Sequence, residues 1–163
     1  MKIAFTGTHG TGKTTAVYEM ASAMKKNPIY SGKSIGILLE VPRHCPFSIN
    51  TSASDKSQLW MFTTQIQQEL ELSRHYDILI CDRCIMDPIA YAKYNEQDEL
   101  VESSMPLALY HMKTYDEIIF KTIINNDYLF EDGVRDTGKE FRQGVEEILL
   151  DLFKENDINV MYI

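Results

Sequence analysis

The chain has 163 residues, of which 44% are hydrophobic and 25% are charged. This composition is that of a globular domain and excludes disordered, collagen-like and coiled-coil proteins. Lys and Arg number 16 against 24 Asp and Glu, and the resulting net charge of −8 disfavours general binding to nucleic acids and anionic membranes. There is no apolar run of membrane-spanning length, no N-terminal signal pattern and no disulfide framework among three cysteines. These features predict one cytoplasmic domain over residues 1–163.

Five short apolar runs, rich in isoleucine, are predicted to form the strands of a buried sheet. They cover Ile3–Phe5, Ile35–Leu39, Ile78–Cys81, Ile118–Phe120 and Ile158–Ile163. They do not alternate with polar residues, which is typical of parallel strands that are covered on both faces. With helical patterns between them, the runs predict an α/β domain built on a parallel sheet.

Helical periodicity occurs between the predicted strands. Apolar residues recur every three or four positions in three segments, 16–24, 59–70 and 141–152. In the second segment, Leu59 and Leu70 are expected on the buried face. Residues 98–114 also have a helical pattern, in which Pro106 is expected to begin or interrupt a helix.

A phosphate-binding loop is predicted directly after the first strand. Residues 7–14 read GTHGTGKT, which satisfies G-x-x-x-x-G-K-[ST], and a helical pattern follows. The glycines allow the backbone N–H groups to point at phosphate oxygens. Lys13 is expected to reach the β- and γ-phosphates and the Thr14 hydroxyl to ligate Mg²⁺, whereas His9 is expected to face solvent. The expected nucleotide-binding residues are Gly7, Gly10, Thr11, Gly12, Lys13, Thr14 and Thr15.

The nucleotide predicted for this loop is ATP, bound with Mg²⁺. A guanine-specific protein would carry an N-K-x-D motif. The nearest string, Asn-Asn-Asp-Tyr at 125–128, does not match it. The absence of the motif therefore favours ATP over GTP.

Charged residues follow the second and third predicted strands, at the edge where parallel sheets bind ligands. Asp82 is interpreted as a magnesium ligand, with capping of a helix from Cys84 onward as the alternative. Glu40 is interpreted as a general base or an orienting acceptor of a hydrogen bond, with assistance to the metal or a solvated loop carboxylate as alternatives. Arg43 and Arg83 would bind a phosphate or carboxylate of the substrate, or pair with these acids.

A lid is expected within residues 125–142, between the fourth strand and the last helix. The segment contains Gly133, Arg135 and Arg142. Phosphoryl transfer needs positive charge that closes over the γ-phosphate and excludes water. Both arginines are therefore assigned to the nucleotide, and surface ion pairs with glutamates of the last helix are the alternative.

Aromatic and cysteine residues give weaker signals. Trp60 is interpreted mainly as a core residue, with stacking on an acceptor base as the alternative that makes it a substrate-binding candidate. Tyr91 and Tyr94 would line the acceptor pocket or pack in the core. Cys81 and Cys84 have the spacing of a metal or redox pair, but no second pair exists, so they are not assigned to a metal.

These motifs together resemble the NadR-like P-loop kinases, which are related to nicotinamide riboside kinase, deoxynucleoside kinases and thymidylate kinase. The resemblance rests on residues 7–14, Glu40-x-x-Arg43, Asp82-Arg83 and Asp132-Gly133-x-Arg135 with Arg142, and extends over nearly the whole chain. It implies a five-stranded parallel sheet in the order 2-3-1-4-5, a helical region that binds the acceptor, and an arginine-bearing lid. The chain departs from the family pattern at Pro42, where a small residue is usual, and at Cys84, where serine or threonine is common.

The predicted function is ATP- and Mg²⁺-dependent transfer of a phosphoryl group to a nucleoside or nucleoside monophosphate. A regulatory ATPase that binds a protein and a 5′-hydroxyl nucleic-acid kinase are the alternatives, and a homodimer is left open. The expected catalytic residues are Lys13, Glu40, Asp82, Arg83 and Arg135. The expected substrate-binding residues are Glu40, Arg43, Trp60 and Arg83, and the expected metal ligands are Thr14 and Asp82.

Overall fold

A computed structural model describes residues 1–49, 53–123 and 138–163. Five parallel strands form one sheet in the order β2-β3-β1-β4-β5, which confirms the predicted order. The strands are β1 (Lys2–Thr6), β2 (Ile35–Leu38), β3 (Ile78–Asp82), β4 (Glu117–Phe120) and β5 (Met161–Tyr162). β5 is shorter than expected because Ile158 closes the turn after the last helix, where its N–H donates to the Phe153 carbonyl at 2.9 Å.

Helices cover both faces of the sheet. They are α1 (Lys13–Lys26), α2 (Asp55–Leu72), α3 (Met86–Tyr94), α4 (Asp98–Met112) and α5 (Lys139–Glu155). Ile3 and Phe5 of β1 pack in a cluster with Val17 of α1, whereas Ala4 belongs to the larger cluster formed with the other four helices. This double coverage explains why the strands are apolar without alternation. Within the described ranges, none of the helices has the length and apolar character needed to cross a membrane.

The buried face of α2 differs from the prediction. Leu59 and Leu70 are 47% and 56% exposed, so their assignment to the core was wrong. Gln58, Gln65 and Glu69 are at most 2% exposed, and they share the buried face. A helix normally turns its apolar residues inward, and this one buries polar residues because they line a cavity and form a buried hydrogen-bond network.

Helix α4 continues through Pro106, so the expected start or break at this residue was wrong. A proline inside a helix removes one hydrogen bond to the carbonyl four residues earlier. That carbonyl belongs to Glu102, and both residues are on the exposed side of α4. Water can therefore bind the free carbonyl, which lowers the cost of the interruption.

Candidate active site

The phosphate loop connects β1 to α1 at the carboxyl edge of the sheet. Gly7 has a φ of 130°, and a Cβ atom at this position would lie 2.5 Å from the carbonyl oxygen of Lys121. Only glycine fits this close approach. Gly12 has a φ of 79° and is the N-cap of α1, so the free N–H groups of the first helical turn face the loop. Such a helix N-terminus is a general binding site for phosphate oxygens.

Lys13 is held within the loop. Its Nζ donates to the Thr8 carbonyl at 2.5 Å and to Thr11 Oγ1 at 3.4 Å, and the residue is 5% exposed. Burial, together with the positive charge of Arg83, lowers the pKa of Lys13 to about 8. A desolvated ammonium group of this kind gains stability when phosphate oxygens approach it.

Thr14 and Asp82 bring two oxygen atoms together next to the loop. Thr14 Oγ1 donates to Asp82 Oδ2 at 2.5 Å, and burial raises the pKa of Asp82 above its ordinary value. A hydroxyl and a carboxylate are the hard oxygen ligands that Mg²⁺ takes in nucleotide sites, where phosphates and waters complete its shell. This donor set fits the predicted magnesium site. Among the described residues, no cluster of three or more His, Cys, Asp or Glu could hold a metal by itself.

The alternative role of Asp82, as a cap for the following helix, is not what the structure shows. The N-cap of α3 is Ile85, which makes no side-chain cap hydrogen bond, and the Cys84 N–H and Thr6 Oγ1 donate to Asp87 Oδ2 at 2.9 and 2.8 Å. Asp82 is thereby left facing Thr14.

Arg83 joins the carboxyl ends of β2 and β3. Its Nε and NH2 donate to Glu40 Oε1 at 3.2 and 2.8 Å, and its NH1 donates to Asp87 Oδ1 at 3.0 Å. Burial alone would lower the pKa of Arg83, but Tyr91 and the two carboxylates outweigh it and raise the pKa above its ordinary value. Its backbone has a φ of 104°, a conformation that residues other than glycine adopt mainly at functional sites.

Glu40 also interacts with Arg43. Glu40 Oε2 accepts a hydrogen bond from Arg43 Nε at 3.2 Å across the 3₁₀ turn Val41–His44. The Arg43 side chain is 43% exposed, whereas that of Glu40 is 12% exposed. Arg43 and Arg83 both pair with Glu40, and both line the same cavity. Pairing with an acid and contact with a substrate are therefore compatible roles for these arginines.

This cavity lies between α2, α3 and the 3₁₀ turn. Its polar lining consists of Glu40, Arg43, Gln58, Gln65, Arg83 and Asp87. Its apolar lining consists of Val41, Pro42, Ile49, Met61, Pro88 and Tyr91. Gln58 is 1% exposed, and neither its side-chain oxygen nor its nitrogen has a hydrogen-bond partner among the described residues. A buried amide without partners is costly, and it points to a ligand that would satisfy it.

Trp60 lies outside this lining. It is partly buried against the main core cluster, and the described wall of the cavity contains Gln58 and Met61 of the same helix. Consecutive helical residues point about 100° apart, so Trp60 cannot share their direction. The structure thus gives Trp60 the core position that was its main interpretation and does not bring it to the cavity.

The expectation that His9 faces solvent was wrong. His9 is 4% exposed, and its backbone N–H and its Nδ1 lie 3.2 and 3.0 Å from the Tyr91 hydroxyl. Its ring also packs against Phe141, with centroids 5.4 Å apart. His9 therefore connects the phosphate loop to a wall of the cavity. The loop motif does not specify this position, so the sequence contained no signal for it.

Arg142, in the first turn of α5, lies against the phosphate loop. It is 1% exposed, and its Nε and NH2 donate to the carbonyls of His9 and Gly10 at 3.2 and 3.4 Å. Thr15 is exposed on the first turn of α1. Arg135 and most of the predicted lid lie outside the described residues.

Sequence reasoning did not identify Gln58, Gln65, Glu69 and Asp87. The first three are spaced by seven and four residues along α2, which is the spacing of one helical face. Polar residues with this periodicity were the signal available for a buried polar face on α2. Asp87 lies four residues after Arg83, and only the structure shows that it accepts a hydrogen bond from the Arg83 guanidinium.

The chain is similar to known kinases over its whole length. The chain is similar to a thymidylate kinase of Campylobacter hominis, with 28% identity over 178 residues, 100% of this chain and 91% of that protein. Among solved structures, it is similar to deoxyadenosine kinase from M. mycoides (TM-score 0.68, 20% identity), with coverage of 100% of this chain and 88% of that one. It is also similar to thymidylate kinase from Ehrlichia chaffeensis (TM-score 0.69, 21% identity), with coverage of 100% and 91%.

The fold of this chain is therefore the P-loop nucleoside kinase fold, with its sheet in the order 2-3-1-4-5. A family model described as AAA domain matches residues 2–163. This match spans the phosphate loop, the Thr14–Asp82 pair and the cavity. The chain belongs to the AAA domain family.

Proposed function

We propose that this protein transfers the γ-phosphoryl group of ATP, in the presence of Mg²⁺, to a nucleoside or nucleoside monophosphate. The main support for this proposal is that two consecutive residues, Asp82 and Arg83, connect the phosphate loop to the cavity. Asp82 accepts a hydrogen bond from Thr14 of the loop–helix junction, and Arg83 lines the cavity. The proposed donor site and the cavity proposed for the acceptor are thereby adjacent, which supports in-line phosphoryl transfer.

The donor half of the site would bind the ATP phosphates. Lys13 and the first turn of α1 offer positive charge and N–H groups, and Thr14 and Asp82 would hold the metal. Mg²⁺, when bound, supplies neutralisation of the phosphate charge. Arg142 would stabilise the loop through its hydrogen bonds to the His9 and Gly10 carbonyls. Arg135 remains the proposed lid arginine.

The acceptor half would bring an oxygen nucleophile toward the γ-phosphorus. For a hydroxyl acceptor, Glu40 would accept the proton while the new O–P bond forms and the bond to the leaving ADP oxygen breaks. For a phosphate acceptor no base is needed, and Arg83 with Arg43 would bind the acceptor's charge. Both chemistries use the same wall of the cavity.

The inner part of the cavity favours a planar, amide-like acceptor group. The Gln58 amide offers the N–H donors of Nε2 and the acceptor Oε1 side by side, and neither atom has a hydrogen-bond partner within the described ranges. A nucleobase edge, or the carboxamide of nicotinamide, presents the complementary pair. Met61 and Pro88 supply apolar surface for such a ring.

The relatives support this class of acceptor. They comprise thymidylate kinases and a deoxyadenosine kinase, and structures of the latter were determined with bound dCTP and dATP. Nicotinamide riboside belongs on the same test panel because of the resemblance to NadR-like kinases. We propose that residues 1–163 act as one kinase domain.

The experiment is ADP release from ATP and Mg²⁺ with a panel of nucleosides, deoxynucleosides, their monophosphates and nicotinamide riboside. The proposal predicts a large increase with one acceptor class and a low rate without an acceptor. A slow rate that no acceptor changes would favour the regulatory ATPase. Stimulation by oligonucleotides with 5′-hydroxyl ends, lost steeply with added salt, would favour the nucleic-acid kinase.

A further inference from the structure

A buried polar network lies beneath the candidate active site, around Glu69 of α2. This residue is 0% exposed and is not part of the described cavity lining. Its Oε1 accepts from Gln65 Nε2 at 2.7 Å and from the Tyr115 hydroxyl at 2.6 Å. Its Oε2 accepts from Lys2 Nζ at 2.7 Å and from His111 Nε2 at 2.8 Å. The carboxylate is thus surrounded by four donors.

These donors keep Glu69 ionised in the core. Burial by itself would raise the pKa of Glu69, but the hydrogen bond from His111, the charge of Lys2 and the bond from Tyr115 outweigh it and lower the pKa. A buried charge held by several bonds fixes the position of every group that it binds. The network therefore forms a rigid support rather than a chance ion pair.

Two of the four donors reach the turn that carries Arg83. Gln65 Nε2 uses its second hydrogen for the Arg83 carbonyl at 3.2 Å. The Tyr115 hydroxyl, while donating to Glu69, accepts the N–H of Ile85 at 3.0 Å. Glu69 therefore orients two groups that bind the turn between β3 and α3. Gln65 binds the turn at Arg83, and Tyr115 binds it at Ile85.

This turn needs external support. Arg83 has a φ of 104°, which a side chain with a Cβ atom adopts only where the surroundings impose it. The Arg83 N–H donates to the Phe5 carbonyl at 2.9 Å, and the Arg83 carbonyl accepts the hydrogen bond from Gln65. If the carbonyl were released, the backbone could relax and the guanidinium would move away from Glu40.

We propose that Glu69 is a positioning residue: through Gln65 and Tyr115 it holds the 83–85 turn so that the Arg83 guanidinium faces the cavity. Only the expected effect on kcat rests on the proposed function; the positioning of Arg83 does not. Glu69 touches neither substrate, and its role is exerted through Arg83.

The kinetic test is Glu69→Gln, measured at saturating ATP and acceptor and at a temperature where the variant is fully folded. We expect kcat to fall at least about tenfold, since small displacements of a catalytic group are costly. Tyr115→Phe, which keeps the packing and removes both bonds, should lower kcat in the same direction. Met24→Ala, a core truncation in the last turns of α1, is the control for lost stability and should keep kcat. A Glu69→Gln variant with kcat within twofold of the parent would overturn the inference.

The second readout does not depend on activity. The Arg83 Nε–H is bonded to Glu40 and should give a slowly exchanging ¹⁵N signal in the parent protein. Glu69→Gln should shift this signal and speed its exchange at least about tenfold, while the amide of Ile80 in β3 stays protected. An unchanged Arg83 signal would refute the positioning role. Absence of transfer in the parent would refute the proposed function and leave this readout valid.

Discussion

Arg83 and Glu40 form a forked contact across the ends of two neighbouring strands, with Nε and NH2 of the arginine at 3.2 and 2.8 Å from one carboxylate oxygen. The pair forms part of the cavity wall, one residue from the Asp82 carboxylate. The arginine proposed to contact the acceptor and the carboxylate proposed to bind the metal are therefore consecutive residues at the end of β3. Displacement of these two residues would affect both halves of the proposed reaction.

Glu40→Gln tests the role of the carboxylate. If Glu40 accepts the proton of a hydroxyl acceptor, kcat should fall about 10²-fold or more, because the amide cannot act as a base. Steady-state kinetics with the best acceptor would measure this. Glu117→Gln, an exposed carboxylate at the start of β4, is the matched control. A rise in KM alone would assign Glu40 to acceptor binding and contradict its role as base.

Lys13→Met should have opposite effects on activity and on stability. Turnover should be abolished because the γ-phosphate loses its cation, whereas the ligand-free protein should unfold at a higher temperature. The lowered pKa of about 8 means that burial disfavours the charged form, so removal of the charge should add roughly 1–3 kcal/mol to the free energy of unfolding at neutral pH. Calorimetry without ligand would measure the gain.

The same shift of Lys13 predicts a pH dependence. Between pH 8 and 10.5 the unfolded chain holds a proton at Lys13 that the ligand-free native state does not, so the Lys13 contribution to stability rises with pH over this range. ATP affinity should change in the opposite direction and fall above about pH 8, because phosphate binding needs the ammonium form. Lys13→Met should lose both trends, and their persistence would contradict the assignment of this pKa.

Asp82→Asn tests the magnesium site. The variant should need a much higher Mg²⁺ concentration for half-maximal turnover, because the amide is a weak ligand for a hard cation. A titration of Mg²⁺ at fixed ATP would show this. Asp151→Asn, on the exposed side of α5, should leave the titration unchanged. If Asp82→Asn also left it unchanged, Asp82 would not be a ligand.

Gln58→Met separates binding of the acceptor from packing. The substitution removes two buried polar atoms that have no partner in the part of the chain that the structure describes, so the ligand-free protein should gain about 1–3 kcal/mol in the free energy of unfolding. The KM of the acceptor should rise at least about tenfold, since its polar edge would lose both partners. Thermal unfolding and kinetics measure the two effects. A more stable variant with an unchanged acceptor KM would remove Gln58 from the site.

The parts of the site that lie close together in sequence were predictable. The phosphate loop is encoded within residues 7–14, and its position after the first strand follows from the apolar run before it. The location of Asp82 and Glu40 at one edge of the sheet was predictable because parallel strands end there. The strand order came from the family resemblance, since periodicity alone does not determine which strands are neighbours.

The parts that depend on tertiary contacts were not predictable from the sequence. The buried face of α2 carries Gln58, Gln65 and Glu69, which an apolar periodicity rule assigns to solvent. Gln58 and Gln65 line a cavity. Glu69 is paired with Lys2, which is 67 residues away in the chain. The contact between His9 and Tyr91 likewise joins residues 82 positions apart, and no local pattern reports it.

The proposed reaction moves the γ-phosphoryl group of ATP to a small acceptor. The most direct measurement uses ATP labelled with ¹⁸O in its γ-phosphate, incubated with Mg²⁺ and the acceptor panel and analysed by mass spectrometry. If the proposed transfer occurs, one acceptor class should gain a phosphoryl group carrying the label, and Lys13→Met should form none of this product. Label found only in inorganic phosphate, with every acceptor unmodified, would contradict the proposed transfer.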